Sequence, residues 1–344
     1  MRQLGFALFL GISAMMAAGG VATAGGVQPG DLIVTDYIND TVDAVNPVTG
    51  ASTVINQGFH FTNPQGVAVN AQGMIFVSDI GTSIIYEVNP TTGVVTPFST
   101  AANTGPAIDR PFEMSFLGNT LYVADGGTAN GANSAVYTVD ASGNRHLMAG
   151  GSNSAFGIGG ASGLAQGSSG GMYASANSTS TIYRVAAGTA TPLTTTVPHA
   201  EGLSFGNGQL FAVSAGGTNP SVWSINPVTG VATDISDNNG IGTGLLFQDL
   251  YGVVYDNNNG MLYVTDRGTS GNPQIDQVNP ITGDRTVIAG NGVGGTTFGQ
   301  LSMGIVVYPA GSPSTPEPSG LVLMAFGVAG LIVGTRRWQG QHRS

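Results

Sequence analysis

The chain has no cysteine and no lysine, only four glutamates and two tryptophans, and just 8% of its 344 residues are charged. Without cysteine there is no thiolate nucleophile, no disulfide and no thiolate-bound zinc, and without lysine there is no Schiff base and no P-loop. Lys and Glu ordinarily cover exposed helix faces; Val, Thr, Ile, Tyr and Phe stand in their place, and the exchange predicts an all-β chain. A 41% hydrophobic share supplies a large core. The 55 glycines and 17 prolines stay below the roughly 25–30% share of low-complexity chains, so a packed protein is expected.

Both ends read as addresses. Residues 1–24 carry a single charge at Arg2, an apolar run over residues 4–18, and a closing Ala22-Thr23-Ala24 with small side chains where a signal peptidase reads them. This predicts a secretory signal peptide. A buried terminal strand or helix is the alternative, weakened by glycines at 19, 20, 25 and 26. Near the other end a Pro/Ser linker (residues 311–318) contains Pro316, Glu317 and Pro318. An uncharged run over residues 320–335 and a basic tail with Arg336 and Arg337 follow within residues 319–344. Sixteen residues span about 24 Å as a helix, a little under a ~30 Å bilayer core, which predicts a short anchor with its arginines cytoplasmic. The order Pro-Glu-Pro, apolar helix, basic tail resembles the PEP-CTERM sorting signal of Gram-negative bacteria. That resemblance implies an exosortase-type sorting enzyme as partner, transient inner-membrane anchoring, and delivery to the cell surface or an exopolysaccharide matrix. A permanent single-span anchor is the alternative.

Residues 25–315 hold 18 acidic side chains against five arginines, a formal balance of −13. Such a surface repels phosphate backbones, so nucleic acid is not an expected partner, while a divalent cation such as Ca²⁺ is attracted.

Between the ends a β-pattern returns six times, at residues 31–36 (DLIVTD), 74–79 (MIFVSD), 120–125 (TLYVAD), 171–176 (GMYASA), 209–214 (QLFAVS) and 261–266 (MLYVTD). Each copy is followed by a second strand and, in four copies, by N-P-x-T-G. There Pro presets φ for the turn and Gly supplies φ > 0, closing a hairpin to a third strand. One more strand precedes each copy, at 66–70, 113–117, 163–166, 202–205, 252–256 and, displaced to the far end, 304–308. Four strands per 40–50 residues is the spacing of a propeller blade. The chain opens on a blade's second strand and finishes on a lone first strand, so a six-bladed β-propeller over residues 25–310, closed by the C-terminal strand, is expected. Closure removes the edge that a linear array would expose, and neither a β-helix nor a sandwich explains the displaced strand. The pattern G-x-x-F/V…G-x-L-Y-V-x-D resembles NHL-type propellers and the gluconolactonase-like, virginiamycin-lyase-like and scytonemin-pathway propellers. The resemblance specifies a fold that carries scaffolds, binders and enzymes alike.

In this fold the connections entering first strands and those leaving second strands share one face. The longer loops, at 99–111, 150–161, 236–249 and 290–302, with 125–134 and 266–274, predict that this is the functional face. Asp36, Asp79, Asp125 and Asp266 end second strands there; they are either a Ca²⁺-binding ring or turn formers accepting their own loops' N–H groups, and the turn role is expected. Glu113, Glu201 and Asp249 fall at first strands, with His199 two residues before Glu201. The lactonase-like resemblance implies a divalent metal held by such carboxylates, with His199 and Glu201 as catalytic candidates. Tyr86, Tyr137, Tyr183 and Trp223 recur at one position of the third strand, as packing residues do; Asp43 and Asp276 replace them beside the ring closure. The G-S-S-G-G at 167–171 and the D-N-N-N-G at 256–260 are expected to be hairpin turns. Two functions follow: a non-catalytic surface module that binds a polymer or another surface protein, or a metal-dependent lactonase-like hydrolase or lyase outside the cytoplasm.

Overall fold

Each recurring apolar run folds as the second strand of a four-stranded antiparallel sheet. The computed structural model describes residues 26–56, 58–128, 133–151, 160–168, 170–215, 219–268, 271–290 and 292–310. The expected signal peptide with Ala22 and Ala24, and the sorting segment with Pro316, Glu317, Pro318, Arg336 and Arg337, lie outside the described residues. Among the described residues no helix is long and apolar enough to cross a membrane.

The first sheet holds β1 (Leu32–Asp36), β2 (Thr41–Val45) and β3 (Ser52–Val54). The second comprises β4 (Pro64–Val69), β5 (Ile75–Asp79), β6 (Ile84–Val88) and β7 (Val95–Ser99), and the third β8 (Pro111–Leu117), β9 (Thr120–Asp125), β10 (Ala135–Val139) and β11 (Arg145–Gly150). The fourth comprises β12 (Leu164–Gln166), β13 (Met172–Ala176), β14 (Thr181–Ala186) and β15 (Thr189–Thr194), and the fifth β16 (Ala200–Gly206), β17 (Gln209–Ser214), β18 (Ser221–Ile225) and β19 (Ala232–Ser236). The sixth contains β20 (Leu250–Asp256), β21 (Met261–Asp266), β22 (Gln274–Val278) and β23 (Arg285–Gly290). The last strand, β24 (Leu301–Val307), joins the first sheet in the order β24-β1-β2-β3, pairing antiparallel to β1. This is the expected six-bladed propeller, with the first and last strands of the chain in one blade.

Alternate side chains of a strand face opposite sides, and here both sides are buried. Ile33 packs toward the second sheet with Val67, Ile75 and Tyr86, whereas Leu32 and Val34 pack toward the sixth with Tyr263, Ile275 and Ile288. Six such cores, one per gap between neighbouring sheets, close the circle. Tyr86, Tyr137 and Tyr183 are buried in these gaps, as the repeated aromatic position predicts.

Five of the six innermost strands start earlier than the sequence pattern places them, β12 being the exception, because a bulge interrupts the register just where the recurring glycine stands, as between Pro64 and Val67 or Leu250 and Gly252. A bulge leaves an N–H outside the ladder, and a hydroxyl from the second strand takes it. The Gly66 N–H donates to Ser78 Oγ (2.8 Å), which donates to the Phe112 carbonyl of the next sheet (2.6 Å). Ser175 links Gly163 to Glu201, and Thr265 links Gly252 to Ser302, in the same way. Neighbouring sheets approach so closely here that a Cβ at Gly252 would lie 2.2 Å from the Met303 carbonyl oxygen, and one at Gly66 equally near that of Phe112.

Gly252 does not adopt positive φ, so the effect of a methyl group there is steric. Gly252→Ala is expected to lower stability by about 2–3 kcal/mol in urea unfolding, the range of overpacked cores. An unchanged midpoint would contradict the close approach.

Candidate functional site

The innermost strands leave a central channel whose wall is largely backbone at the glycine level. Gly66, Gly163, Gly202, Gly252 and Gly304 occupy equivalent positions in five sheets, and Glu113 occupies the sixth. Its side chain uses the space that the glycines opposite leave free: Oε2 accepts the N–H of Leu164 (2.8 Å) and that of Leu203 (3.3 Å), from the two following blades. Burial pushes this carboxyl up to about 8, against the lowering effect of the two amides. Glu113 lines a vestibule of about 490 Å³ on one side with Met114, Phe116, Leu203 and Ile305.

The opposite mouth holds a separate cavity of about 460 Å³ lined by Tyr37, Asn63, Gln65, Arg110, Phe112, Asn177, Glu201, Tyr251 and Arg267 among others. Tyr37, Ile80, Asn177 and Arg267 each directly follow a second strand, so this is the face expected to carry function. The long loops reach its described lining only near their ends, through Arg110, through Arg267 of the 266–274 loop, and through Leu301 and Ser302. Apart from Arg110 at the end of its loop, residues 99–109, 237–248 and 290–299 are absent from the described lining. The outermost strand of each blade lies at the perimeter, and the loops that leave it begin there. Two buried arginines hold them: Arg145 donates to the carbonyls of Pro106, Thr100 and Asn103, and Arg285 to that of Asp237 while stacking on Phe247.

Within the cavity Glu201 accepts a hydrogen bond from the Asn177 amide, and burial raises its carboxyl to about 7 although Arg267 opposes the rise. Arg267 donates from Nε and Nη2 to Asp249 Oδ2 (2.9 and 2.5 Å) and lies over the Tyr251 ring at 3.9 Å. Arg110 lies over Phe112 at 5.1 Å. Both guanidiniums are thus fixed against aromatic faces at the rim.

The expected metal set does not come together. Glu113 is turned to two backbone amides on the far side of the channel, and Asp249 is held by a guanidinium where a cation would approach. Among the described residues no three His, Asp or Glu side chains are grouped to hold a metal ion. A divalent ion of the lactonase-like kind therefore does not fit this donor set. His199 is exposed in a left-handed turn, outside the cavity lining, and its N–H donates to Ser180 Oγ. The four strand-ending aspartates are turn formers, and each also binds the segment entering its own blade's first strand. Asp79 accepts from Gly81 and Thr82 on one side and Thr62 and Asn63 on the other, and Asp36 accepts from Asn39, Gly299 and Gln300. Asp256 caps the 256–260 hairpin turn through the N–H of Asn258.

Neither the cavity arginines nor Asn177 stood out in the sequence. Arg110 and Arg267 are two of only five arginines in residues 25–315, and that scarcity was the available signal.

Solved structures with this architecture include a chain of a nidogen/laminin complex (TM-score 0.60, 15% identity, 81% of this chain and 99% of that one). Virginiamycin B lyase of Staphylococcus aureus aligns at TM-score 0.52 and 15% identity, over 73% of this chain and 78% of that one. A gluconolactonase of Xanthomonas campestris aligns at 0.54 and 15%, over 69% and 79%. At these identities the likeness is one of fold. No protein-family model and no curated protein matches the sequence.

Glu113 and Glu201 keep their protons in the folded protein at pH values where the unfolded chain has lost them. Their contribution to stability is therefore fully present below about 4.5 and is lost as pH rises through about 7 and about 8. Glu113→Gln keeps an acceptor for the two amides and removes the charge. It is expected to match the parent in thermal melting near about pH 5 and to exceed it near about pH 9, by on the order of 2–4 kcal/mol. Equal melting at both would contradict the buried carboxylate.

Proposed function

We propose that the chain is an exported, surface-associated propeller that binds a carboxylate-bearing saccharide at the channel mouth lined by Arg110, Arg267 and Glu201. One observation carries this reading: the distribution of the few cations. Arg145 and Arg285 are consumed as loop anchors, and Arg184 holds a turn by donating to the carbonyls of Pro227 and Val228. The remaining two of the five both line one cavity, within a stretch (residues 25–315) whose formal balance is −13. Guanidiniums suit a carboxylate, amides such as Asn63, Gln65 and Asn177 suit hydroxyls, and Tyr37 and Tyr251 offer ring surface. About 460 Å³ accommodates one or two sugar rings. Export with cleavage by signal peptidase, sorting through the Pro316-Glu317-Pro318 segment by an exosortase-type enzyme, and residence at the cell surface or in the matrix belong to the same proposal. Their support is the order of charged, apolar and small residues at the two ends.

Calorimetric titration with uronate oligosaccharides and their neutral counterparts tests the reading. The acidic series should bind and the neutral series bind far more weakly. Arg110→Gln should cost at least about tenfold in affinity, the worth of a charge-assisted hydrogen bond. Equal affinity for both series would overturn it.

A second reading, a hydrolase or lyase acting on the same ligand class, is favoured by Glu201, a carboxyl that titrates near neutrality on the cavity wall and so can give or take a proton. Under it Glu201→Gln retains binding and loses turnover of the acidic oligosaccharide. Absence of turnover by the unsubstituted protein leaves the binding module alone.

A further inference from the structure

We infer that the end of the torus carrying the N-P-x-T-G turns lies against a zwitterionic lipid bilayer, with the arginine-lined mouth facing away from it. The inference rests on the proposed sorting route, in which the run at 320–335 anchors the chain in the inner membrane before it is sorted, and adds an orientation to that anchored state.

Three observations place that end. Leu32 pairs with both Val307 and Val45, and Val45 with Ser52, so the end of β24 lies in one row with the β2–β3 turn. Pro309 and Ala310 accordingly leave at this end, where they line the vestibule opposite the arginine mouth together with Asn257 and Asn258. Only nine residues, three of them proline, separate Ala310 from the apolar run at 320–335. Extended at ~3.1 Å per residue, they reach about 28 Å at most. An anchor in that run holds this end near the membrane and the other end away from it.

The turn tips supply the contact. Val48 is 91% exposed, Val228 79% and Ile281 92%, at the third position of turns on the first, fifth and sixth sheets, which are consecutive around the ring. The turn makes no demand on these side chains: Asn46 Oδ1 accepts the N–H groups of Val48 and Thr49, and Asn226 and Asn279 repeat the arrangement. Thr91 serves as well at the same place in the second sheet. A β-branched aliphatic group at the most exposed point of a polar turn contributes nothing to the fold, but it suits insertion among lipid headgroups. Asp284, exposed three residues from Ile281, would be repelled by anionic lipid, so the surface that fits is zwitterionic.

The absence of native cysteine makes the test direct. Val228→Cys, Ile281→Cys and, on the opposite face beyond β1, Ile38→Cys are made singly in the full chain, labelled with a polarity-sensitive fluorophore and reconstituted with phosphatidylcholine vesicles. The labels at 228 and 281 should shift to the blue and become several-fold less accessible to iodide, while the label at 38 stays in water. If the protein floats with the vesicles but 228 and 281 remain aqueous, the orientation is overturned and anchoring stands. If it does not float, anchoring fails and the orientation with it. A shift at 228 and 281 that appears without vesicles and grows with protein concentration assigns the patch to a second copy of the chain and overturns lipid contact.

Discussion

The ring depends on how closely the innermost strands of adjacent blades approach. Around the channel one blade's bulge meets the carbonyl of the next, and at five of six equivalent positions only glycine is present. The hydroxyls of Ser78, Ser175 and Thr265 complete the joint, satisfying an N–H that the bulge removes from the ladder and bonding to the neighbouring blade. Thr35 makes the corresponding bond from the first sheet to Gln65 at 2.8 Å, on the blade that contains both ends of the propeller. Steric exclusion at the glycines and donor satisfaction at the hydroxyls hold the blades at the separation that lets six apolar gaps fill.

A channel walled by backbone has few side chains with which to act, so each one present matters. Glu113 fills the one position where a side chain replaces glycine and reaches two blades at once. The mouth above it draws its chemistry from the two levels nearest the axis: residues immediately beyond second strands, such as Tyr37, Asn177 and Arg267, and residues at the entry to first strands, such as Arg110, Glu201 and Tyr251. The longer connections start from outer strands, and buried arginines hold much of them away from the mouth. Distance from the axis is thus a better guide to the site than loop length.

The charge inventory points the same way. A chain with no lysine and few arginines commits three of the five in residues 25–315 to holding its own loops and turns. Buried guanidiniums bond several carbonyls at once and stay charged, which suits them to fix irregular backbone. The two that remain line one mouth from the third and sixth blades, Arg110 over Phe112 and Arg267 over Tyr251 and paired with Asp249.

Much of the architecture was legible in residue order alone. Six copies of a two-periodic apolar run, four of them closed by N-P-x-T-G, specify hairpins through local φ preferences. A first strand displaced to the far end specifies closure, because an unpaired edge has only one partner. The strand-ending aspartates were legible as turn formers for the same local reason. The metal set Glu113, Glu201 and Asp249 was not decided there. Positions alike in the repeat do not fix where side chains point once blades are wrapped, and whether a carboxylate meets an amide, a guanidinium or its fellow carboxylates depends on contacts between blades. What the sequence determined by itself were the strands, the turns and the blade count, which follow from backbone preferences and periodicity within a few residues. Which side chains meet in the channel was decided by the tertiary structure alone, since Glu113, Leu164 and Leu203 become neighbours only when separate sheets close around a common axis.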